Sequence, residues 1–444
     1  MSERLIKEFM SFVEANPTVF HVVDAMAKGL EKAGFSHLDE SGDWKLKAGG
    51  KYYITRNGSS IIAFTLPGKV FSGFQISAAH SDSPGLKVKG LDADRIEGGP
   101  YIKLNVETYG GLLMAPWFDR PLSLAGRIMV KERGRIKTKL VNIDRDLMII
   151  PNVAIHMNRE VNKGYEYNPQ VDLLPLLGLK EGDGKNALLN LLAEKAKTKA
   201  ENILSCDIFV YDRTKGSVLG VNNEFFATHH IDDMECAYMS YKALVDAKAK
   251  KGNGAKNSAV SMVAIFDNEE VGSLTKQGAD STFLFDVMSR INEACGRKEQ
   301  DYRRAVAGSM MISADNAHAL HPNHPEHHDP VNKPIINGGI VIKHAANEKY
   351  TTDAVSHALF KELCDQAKVP YQEFYNRSDK KGGGTLGNIA NAHVSLNTVD
   401  IGLPQLAMHS PYETAGTKDP EYLYKVLKLF FEKTLRIEGG YRFE

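Results

Sequence analysis

The chain is poor in cysteine: four of its 444 residues are cysteines, Cys206, Cys236, Cys295 and Cys364, and no two of them form a CxxC motif. This scarcity argues against a disulfide framework and against a zinc site built from thiolates. It is typical of free thiols in a reducing compartment. The N-terminus also lacks the apolar core of a secretory signal. We therefore expect a cytoplasmic protein.

The sequence has no excess of charge of either sign, because 55 Lys and Arg residues balance 55 Asp and Glu residues. Nucleic acids and anionic membranes attract a basic surplus, so neither is an expected partner. No apolar run is long enough to span a bilayer. The length of 444 residues leaves room for two or three domains in an otherwise ordinary globular composition.

Two kinds of hydrophobic pattern occur along the chain. Residues 1–90 and 220–444 contain short continuous apolar runs that alternate with helical patterns, as in an α/β domain with a parallel-rich mixed sheet flanked by helices. Within residues 91–219, apolar and polar residues alternate, which favours half-exposed antiparallel strands. The sequence therefore predicts a discontinuous α/β domain interrupted by a β-rich domain. In the first part, Asn57-Gly58 also predicts a tight hairpin.

Two adjacent carboxylates, Glu269 and Glu270, follow the apolar run 259–266. The end of a buried strand would deliver them to the rim of a sheet, where open α/β folds keep their ligand crevices. One carboxylate can then ligate a metal while its neighbour takes a proton from water. A bare Glu-Glu pair is more often a solvated acidic turn, so the interpretation depends on what accompanies it.

Other candidate ligands stand at the ends of other apolar runs, which together with Glu270 gives the set His80, Asp232, Glu270, Asp315 and His409. Imidazole and carboxylate without thiolate suit a catalytic zinc site and also admit manganese or cobalt. Five ligands exceed the need of one open zinc ion and fit two ions that share a bridging carboxylate. Singly, His409 could be a core histidine and Asp315 a helix N-cap, but their joint placement favours the metal site.

Three further features bear on the site. Asp82, two residues after His80, could accept the second ring proton of a metal-bound imidazole. The glycine-rich stretch 380–387 does not follow the phosphate-loop order, and it predicts a turn whose backbone N–H groups approach a substrate at Gly383, Gly384 and Thr385. The histidine-rich run 318–328 contains two prolines, so we interpret it as a loop.

Five motifs, in order along the chain, resemble those of the aspartyl aminopeptidase family: HSDSPGLKVK at 80–89, WFDR at 117–120, FDNEEVGS at 266–273, SADNAHALHPN at 313–323 and PQLAMHS at 404–410. The members of that family are co-catalytic zinc metallopeptidases that remove N-terminal residues from peptides. The resemblance extends over nearly the whole chain.

The resemblance implies a role for each ligand. Asp232 would bridge two divalent ions, Zn²⁺ in preference to Co²⁺ or Mn²⁺, although the chain has Ile-Asp-Asp where family members usually have Leu-Asp-Asn. His80 and Asp315 would complete one ion's site, and Glu270 and His409 the other. Glu269 would be the general base, and Asp82 would orient His80.

The resemblance also implies a specificity and an assembly. Lys343 matches the position at which acid-preferring members place a lysine for the substrate side chain. The β-rich insertion would form dimers in which His156 reaches the partner's active site, and the dimers would build a dodecamer.

We therefore predict a metal-dependent aminopeptidase that acts on peptides with N-terminal Asp or Glu. One alternative is a neutral or broad-specificity aminopeptidase in which Lys343 is a surface lysine. An alternative of another class is a catalytically silent shell or cargo-binding protein, against which the complete ligand set argues.

Overall fold

The computed structural model of the chain describes residues 2–97, 99–180, 186–248 and 258–444. Its α-helices are α1 (Ser2–Ala15), α2 (Val19–Lys32), α3 (Pro169–Asp172), α4 (Ala187–Lys195), α5 (Ile231–Asp246), α6 (Phe283–Ala294), α7 (Glu299–Ala307), α8 (Ala354–Ala367), α9 (Leu386–Asn391) and α10 (Asp419–Glu432). Its β-strands are β1 (Ser36–His37), β2 (Lys51–Arg56), β3 (Ser60–Thr65), β4 (Phe74–His80), β5 (Gly85–Val88), β6 (Tyr101–Lys103), β7 (Val106–Tyr109), β8 (Leu122–Glu132), β9 (Arg135–Asn142), β10 (Leu176–Leu179), β11 (Ile203–Asp212), β12 (Ser217–Leu219), β13 (Phe225–Thr228), β14 (Val260–Phe266), β15 (Met310–Ala314), β16 (Ala317–His318), β17 (Ile340–His344), β18 (Tyr371–Tyr375), β19 (Asn397–Gly402), β20 (Pro404–Leu406), β21 (Glu413–Gly416), β22 (Leu435–Arg436) and β23 (Arg442–Phe443).

A nine-stranded mixed sheet forms the centre of the fold, in the order β1-β2-β3-β14-β4-β15-β19-β17-β18. The four central strands β14, β4, β15 and β19 run parallel to one another. Every residue of β4 and of β14 is buried, as their continuous apolar runs predict. The predicted fold class, a mixed sheet flanked by helices, is confirmed.

Helices cover both faces of this sheet. Successive strand residues point to opposite sides, and in the buried strand β14 both sets of side chains are mostly apolar. On β14, Val263 and Ile265 pack into one core with α1, α2, α5, α8 and α10. The alternate residues Met262, Ala264 and Phe266 pack into a second core with α6, α7 and α9. None of the helices in the described ranges is long and apolar enough to cross a lipid bilayer.

The hairpin predicted at Asn57-Gly58 is confirmed. Strands β2 and β3 pair antiparallel on either side of it. Asn57 and Gly58 have φ angles of 58° and 65°, which is the left-handed conformation that a type I′ turn requires at both central positions.

A second, five-stranded antiparallel sheet has the order β7-β5-β11-β8-β9 and packs around its own hydrophobic core. Most of it lies within residues 91–219, but β5 (Gly85–Val88) precedes the predicted boundary and pairs with β7 and β11. A four-residue strand is too short for its hydrophobic period to show which sheet it joins. The assignment of residues 91–219 to a separate dimerisation domain stays a prediction.

A third sheet, β12-β13-β21-β20-β16, brings two distant parts of the chain together. In it, β13 pairs antiparallel with β21, with Thr228 opposite Glu413. The chain leaves β13 towards Asp232, and the connection between β20 and β21 carries His409. This sheet therefore places both of these candidate ligands at the same edge of the central sheet.

Candidate active site

Three neighbouring parallel strands end at one edge of the central sheet and carry candidate ligands there. His80 is the last residue of β4 and pairs with Phe266, the last residue of β14. Glu269 and Glu270 follow β14 in a short 3₁₀ turn. Asp315 follows β15, which pairs with the other side of β4. Because the carboxyl ends of parallel strands meet at a common edge, residues that are far apart in sequence converge there.

Asp232 and His409 reach this edge from the third sheet and are held by one buried carboxylate, that of Glu413. One Glu413 oxygen accepts the backbone N–H groups of Ile231 at 2.6 Å and Asp232 at 3.1 Å. The other accepts the backbone N–H of His409 at 2.9 Å. Glu413 therefore fixes the relative position of two candidate ligands through their main chains.

The five candidate ligands form two groups that share Asp232: His80, Asp232 and Asp315 in one, and Asp232, Glu270 and His409 in the other. In each group the potential donor atoms lie within 4.8 Å of one another. The Oδ1 atom of Asp232 is 3.5 Å from His80 Nε2, and its Oδ2 atom is 3.4 Å from His409 Nε2. The two oxygens of Asp232 thus face different imidazoles.

Backbone carbonyl groups set the tautomers of both histidines. His80 Nδ1 lies 3.0 Å from the carbonyl oxygen of Asp82, and His409 Nδ1 lies 2.7 Å from that of Gly111. A carbonyl oxygen accepts but cannot donate, so both Nδ1 atoms carry the proton. Each Nε2 therefore faces the carboxylates, and a neutral imidazole held in this way would offer its Nε2 lone pair to a metal ion.

The electrostatics of the site also fit a cation. Asp232 Oδ1 and Glu270 Oε1 are buried without a hydrogen-bond partner among the described residues. Burial, together with repulsion by Asp232, raises the pKa of Glu270 well above its usual range, and burial raises the pKa of Glu269 to about 8. Buried carboxylates are costly to keep ionised unless positive charge lies beside them. A divalent ion would supply that charge, and the imidazole and carboxylate donors suit zinc.

Asp82 contacts the Glu269–Glu270 turn more closely than it contacts His80. Its two carboxylate oxygens accept the backbone N–H groups of Glu269 and Glu270, each at 3.1 Å, and the hydroxyl of Tyr109 at 2.7 Å. Its Oδ1 atom is 3.4 Å from His80 Nδ1, farther than its own carbonyl oxygen. Strand β4 ends at His80, so Asp82 lies beyond the strand, and its carboxylate is directed to the Glu269–Glu270 turn.

A cavity of about 570 Å³ opens over these ligands. Its walls include most of the residues predicted from the sequence, namely His80, Asp232, Glu269, Glu270, Asp315, Lys343, Gly383, Gly384, Thr385 and His409. Asp82 is not one of the residues that line this cavity. His156 is exposed and, among the described residues, is not one that lines the cavity. Its role in a partner's site stays a prediction.

The model of one protein family, described as aminopeptidase I zinc metalloprotease (M18), matches residues 12–431. The chain belongs to the M18 family. It is therefore a zinc metallo-aminopeptidase, which confirms the predicted enzyme class. Zinc, the metal that the family description names, agrees with the imidazole and carboxylate donors at the cavity.

Relatives resemble the chain over almost its full length. A probable M18 family aminopeptidase 2 from Clostridium acetobutylicum is 44% identical over 432 residues, which cover 96% of this chain and 98% of that protein. Among solved structures, one from the cryo-EM structure of the Ape4 and Nbr1 complex superposes with a TM-score of 0.91 at 36% identity, covering 97% of this chain and 86% of the other. The yeast mApe1 dodecamer gives 0.84 at 30% identity, with 96% of both chains covered.

Lys343 lies in the cavity wall of this M18 aminopeptidase and is only 3% exposed. Its Nζ atom is 3.5 Å from Asp315 Oδ1 and 5.5 Å from the centre of the Tyr350 ring. Burial disfavours the charged form, but Asp315 and the other acidic groups nearby together outweigh it, so the pKa of Lys343 lies above its usual value. The residue is therefore a buried cation and not the surface lysine of the neutral-aminopeptidase alternative.

The glycine-rich segment of the M18 chain forms another part of the wall. Gly383 and Gly384 line the cavity, and Thr385 immediately precedes α9. The Thr385 hydroxyl donates to Asp400 Oδ1 at 2.7 Å, while Asp400 Oδ2 accepts the backbone N–H of Thr351 at 2.6 Å. Asp400 thus ties the glycine segment to the connection that follows Lys343. Contact of Gly383 and Gly384 with a substrate stays a prediction.

Three residues that hold the site in this M18 chain were missed by the sequence analysis: Tyr109, Gly111 and Glu413. Tyr109 contacts a residue 27 positions away in sequence, Gly111 one 298 positions away and Glu413 one 182 positions away. Tyr109 ends an alternating strand and precedes two glycines. This pattern indicates that the backbone approaches another segment closely, but it does not identify that segment. Glu413 has no local pattern that distinguishes it.

Proposed function

We propose that this M18 aminopeptidase removes N-terminal Asp or Glu from peptides, with Glu269 as the general base. The observation that supports the acidic preference is the buried position of Lys343 in the cavity wall. Its ammonium group has three donors, and one carboxylate, that of Asp315, lies within 3.5 Å. An acidic substrate side chain would occupy the remaining donors. A neutral side chain would leave them unpaired in a desolvated wall, which is unfavourable.

We further propose that the site holds two ions, with Asp232 between them. The two ligand groups that share Asp232, and the opposite directions in which its oxygens face His80 and His409, support this number. A divalent ion bound by such residues acts as a Lewis acid that acidifies water and polarises a carbonyl group.

Glu269 is the proton carrier in this proposal. Its potential donor atom lies within 4.8 Å of those of His80 and Glu270, yet it belongs to neither of the two groups centred on Asp232. A carboxylate so placed takes the proton of the attacking water and returns it to the leaving amine. Asp82 holds the Glu269 backbone by accepting its N–H at 3.1 Å, and this contact fixes the position of the base relative to the ligands.

We also propose an assembly of dimers into a dodecamer, the form in which yeast mApe1 was solved. Support comes from a group of exposed apolar side chains around His156: Val153, Ile155 and Met157 are 51%, 47% and 84% exposed. Such a group is unusual on a surface that stays in water.

The four cysteines are free thiols, which supports the proposal that the enzyme is located in the reducing cytoplasm.

Removal of metal tests the function directly. We expect a chelator to abolish hydrolysis of a chromogenic substrate with N-terminal Asp, because a divalent ion would acidify the water from which Glu269 takes a proton. Addition of Zn²⁺, Co²⁺ or Mn²⁺ after removal of the chelator should restore the rate. Elemental analysis of the same samples provides the control. Full activity in protein shown to be free of metal would refute the proposal.

Replacement of Lys343 tests the specificity. Lys343→Leu is expected to lower kcat/KM for N-terminal Asp and Glu on the order of 10²-fold or more, because it leaves a buried substrate carboxylate unpaired. Substrates with N-terminal Leu or Ala should lose far less. A second lysine of the cavity wall, Lys349, whose Nζ atom lies 3.4 Å from the Gly382 carbonyl oxygen, provides the control variant Lys349→Leu.

Metal content must be measured in both lysine variants, since Lys343 also neutralises the ligand Asp315. A loss of the same size on all four substrates, with metal retained, would favour the neutral or broad-specificity alternative.

A further inference from the structure

Three metal-binding side chains converge at a place outside the active site: His344 at the end of β17, His357 on α8 and Glu373 on β18. The two oxygens of Glu373 each face one imidazole. His344 Nε2 lies 2.8 Å from Oε2, and His357 Nε2 lies 2.9 Å from Oε1. The potential donor atoms of the three residues all lie within 4.8 Å of one another. None of the motifs discussed above includes these residues.

The central sheet separates this cluster from the catalytic cavity. In the parallel pairing of β17 with β18, Ile342 is opposite Glu373 and Lys343 is opposite Phe374. Lys343 and Phe374 line the catalytic cavity. Since successive strand residues point to opposite faces, His344 and Glu373 lie on the other face, which α8 covers. The cluster therefore does not share space with the catalytic ligands.

The three residues provide the donors of a zinc site with an open position, two imidazole nitrogens and one carboxylate. They come from two strands and a helix that pack together, so their backbones are fixed independently of one another. Their side chains are 14%, 25% and 29% exposed for His344, His357 and Glu373, so an ion can reach them from solvent. A cavity of about 490 Å³ opens beside His344.

The present donor separations of 2.8 and 2.9 Å are those of hydrogen bonds. Donors that lie about 2.0–2.1 Å from a tetrahedral zinc ion stand about 3.3 Å apart, so the side chains would separate by a few tenths of an ångström. Each imidazole would present its Nε2 lone pair and carry its proton on Nδ1. The group of His324, Glu326 and His327 differs, because all three side chains are exposed and come from one short turn.

We propose that His344, His357 and Glu373 bind a divalent transition-metal ion of the Zn²⁺ type at a site separate from the active site. The ion joins the edge strand β18 to β17 and α8. The chain continues from β18 into the segment that carries Gly383 and Gly384 in the catalytic cavity. The site thus stabilises the position of β18, and one wall of the catalytic cavity extends from this strand.

The zinc content of untagged protein tests this site. Parent enzyme and variants are equilibrated with excess Zn²⁺, freed of loosely bound ion by gel filtration and analysed for zinc per subunit. The double variant His344→Ala/His357→Ala and the single variant Glu373→Gln should each contain about one zinc equivalent per subunit less than the parent.

The matched control is His393→Ala. His393 Nε2 also contacts a carboxylate, Asp280 Oδ1, at 2.7 Å and with similar exposure, but within the described part of the chain no third ligand joins them. This variant should keep the zinc content of the parent. The Glu373→Gln variant retains the size of the side chain, so its zinc content tests the proposal even if the double variant folds poorly. Equal zinc in the parent, Glu373→Gln and His393→Ala would show that the cluster is a hydrogen-bonded trio and would overturn the proposal.

Discussion

Glu269→Gln is expected to lower turnover by about 10²–10⁴-fold while the metal content stays that of the parent enzyme. The amide keeps the shape of the side chain but cannot accept the proton of the attacking water. The backbone of residue 269 stays bound to Asp82, since that contact involves its N–H group alone. The ligand groups around Asp232 do not require this side chain. Steady-state kinetics and elemental analysis of the same preparation measure both expectations.

The neighbouring residue provides the control, because Glu270→Gln changes the same carboxylate to the same amide one position along. Glu270 Oε2 lies 3.4 Å from His409 Nε2, and its Oε1 atom is buried without a hydrogen-bond partner in the described part of the chain. Loss of this charge should lower metal content as well as turnover. If the two variants showed the same metal content and the same loss of rate, the division between base and ligand would be wrong.

The convergence of His80, Glu270 and Asp315 could be predicted from the sequence because each follows a short apolar run. Parallel strands that are buried on both faces end at a common edge, so a polar residue at the end of such a run lies near the others. The order of the strands was not needed for this inference. Asp232 and His409 lie at the same edge, but they reach it from the third sheet and not from parallel strands of the central sheet.

The contacts that hold these ligands could not be predicted in the same way. Glu413 binds three backbone N–H groups of two distant segments, and no period or motif of the sequence marks such a carboxylate. Asp82 was predicted to orient His80, yet its oxygens lie closer to the Glu269–Glu270 turn. How closely a side chain approaches each of two neighbouring partners depends on the backbone path beyond the strand, which the sequence pattern leaves open.

Contact between the β-rich segment and the site in the same subunit was also not predicted. Tyr109 binds the Asp82 carboxylate, and the Gly111 carbonyl oxygen accepts from His409. Gly110, with a φ of 69°, lies so close to the site that a Cβ atom there would be 3.1 Å from the Cβ of Glu270. Segment 91–219 therefore already forms part of its own subunit's site.

We predict that His156 extends this relation to a second subunit, and its replacement is expected to give the other large effect. His156→Ala should lower turnover by about 10²–10³-fold, the usual loss when one hydrogen-bond donor to a developing oxyanion is removed. The residue is exposed in an isolated subunit and is remote from all five ligands in sequence. Metal content and oligomer size, measured by elemental analysis and light scattering, should therefore remain those of the parent.

Mixed dimers distinguish donation across the interface from an indirect effect within one subunit. When His156→Ala and Glu269→Gln subunits exchange freely in equal amounts, hybrid dimers contain one site with both residues intact. A two-fold interface then makes about a quarter of all sites competent, so activity should rise to about a quarter of the parent's. The same mixture held under conditions that prevent exchange should stay inactive. If hybrids were shown to form without recovery, or if a monomer were fully active, His156 would not serve the partner's site.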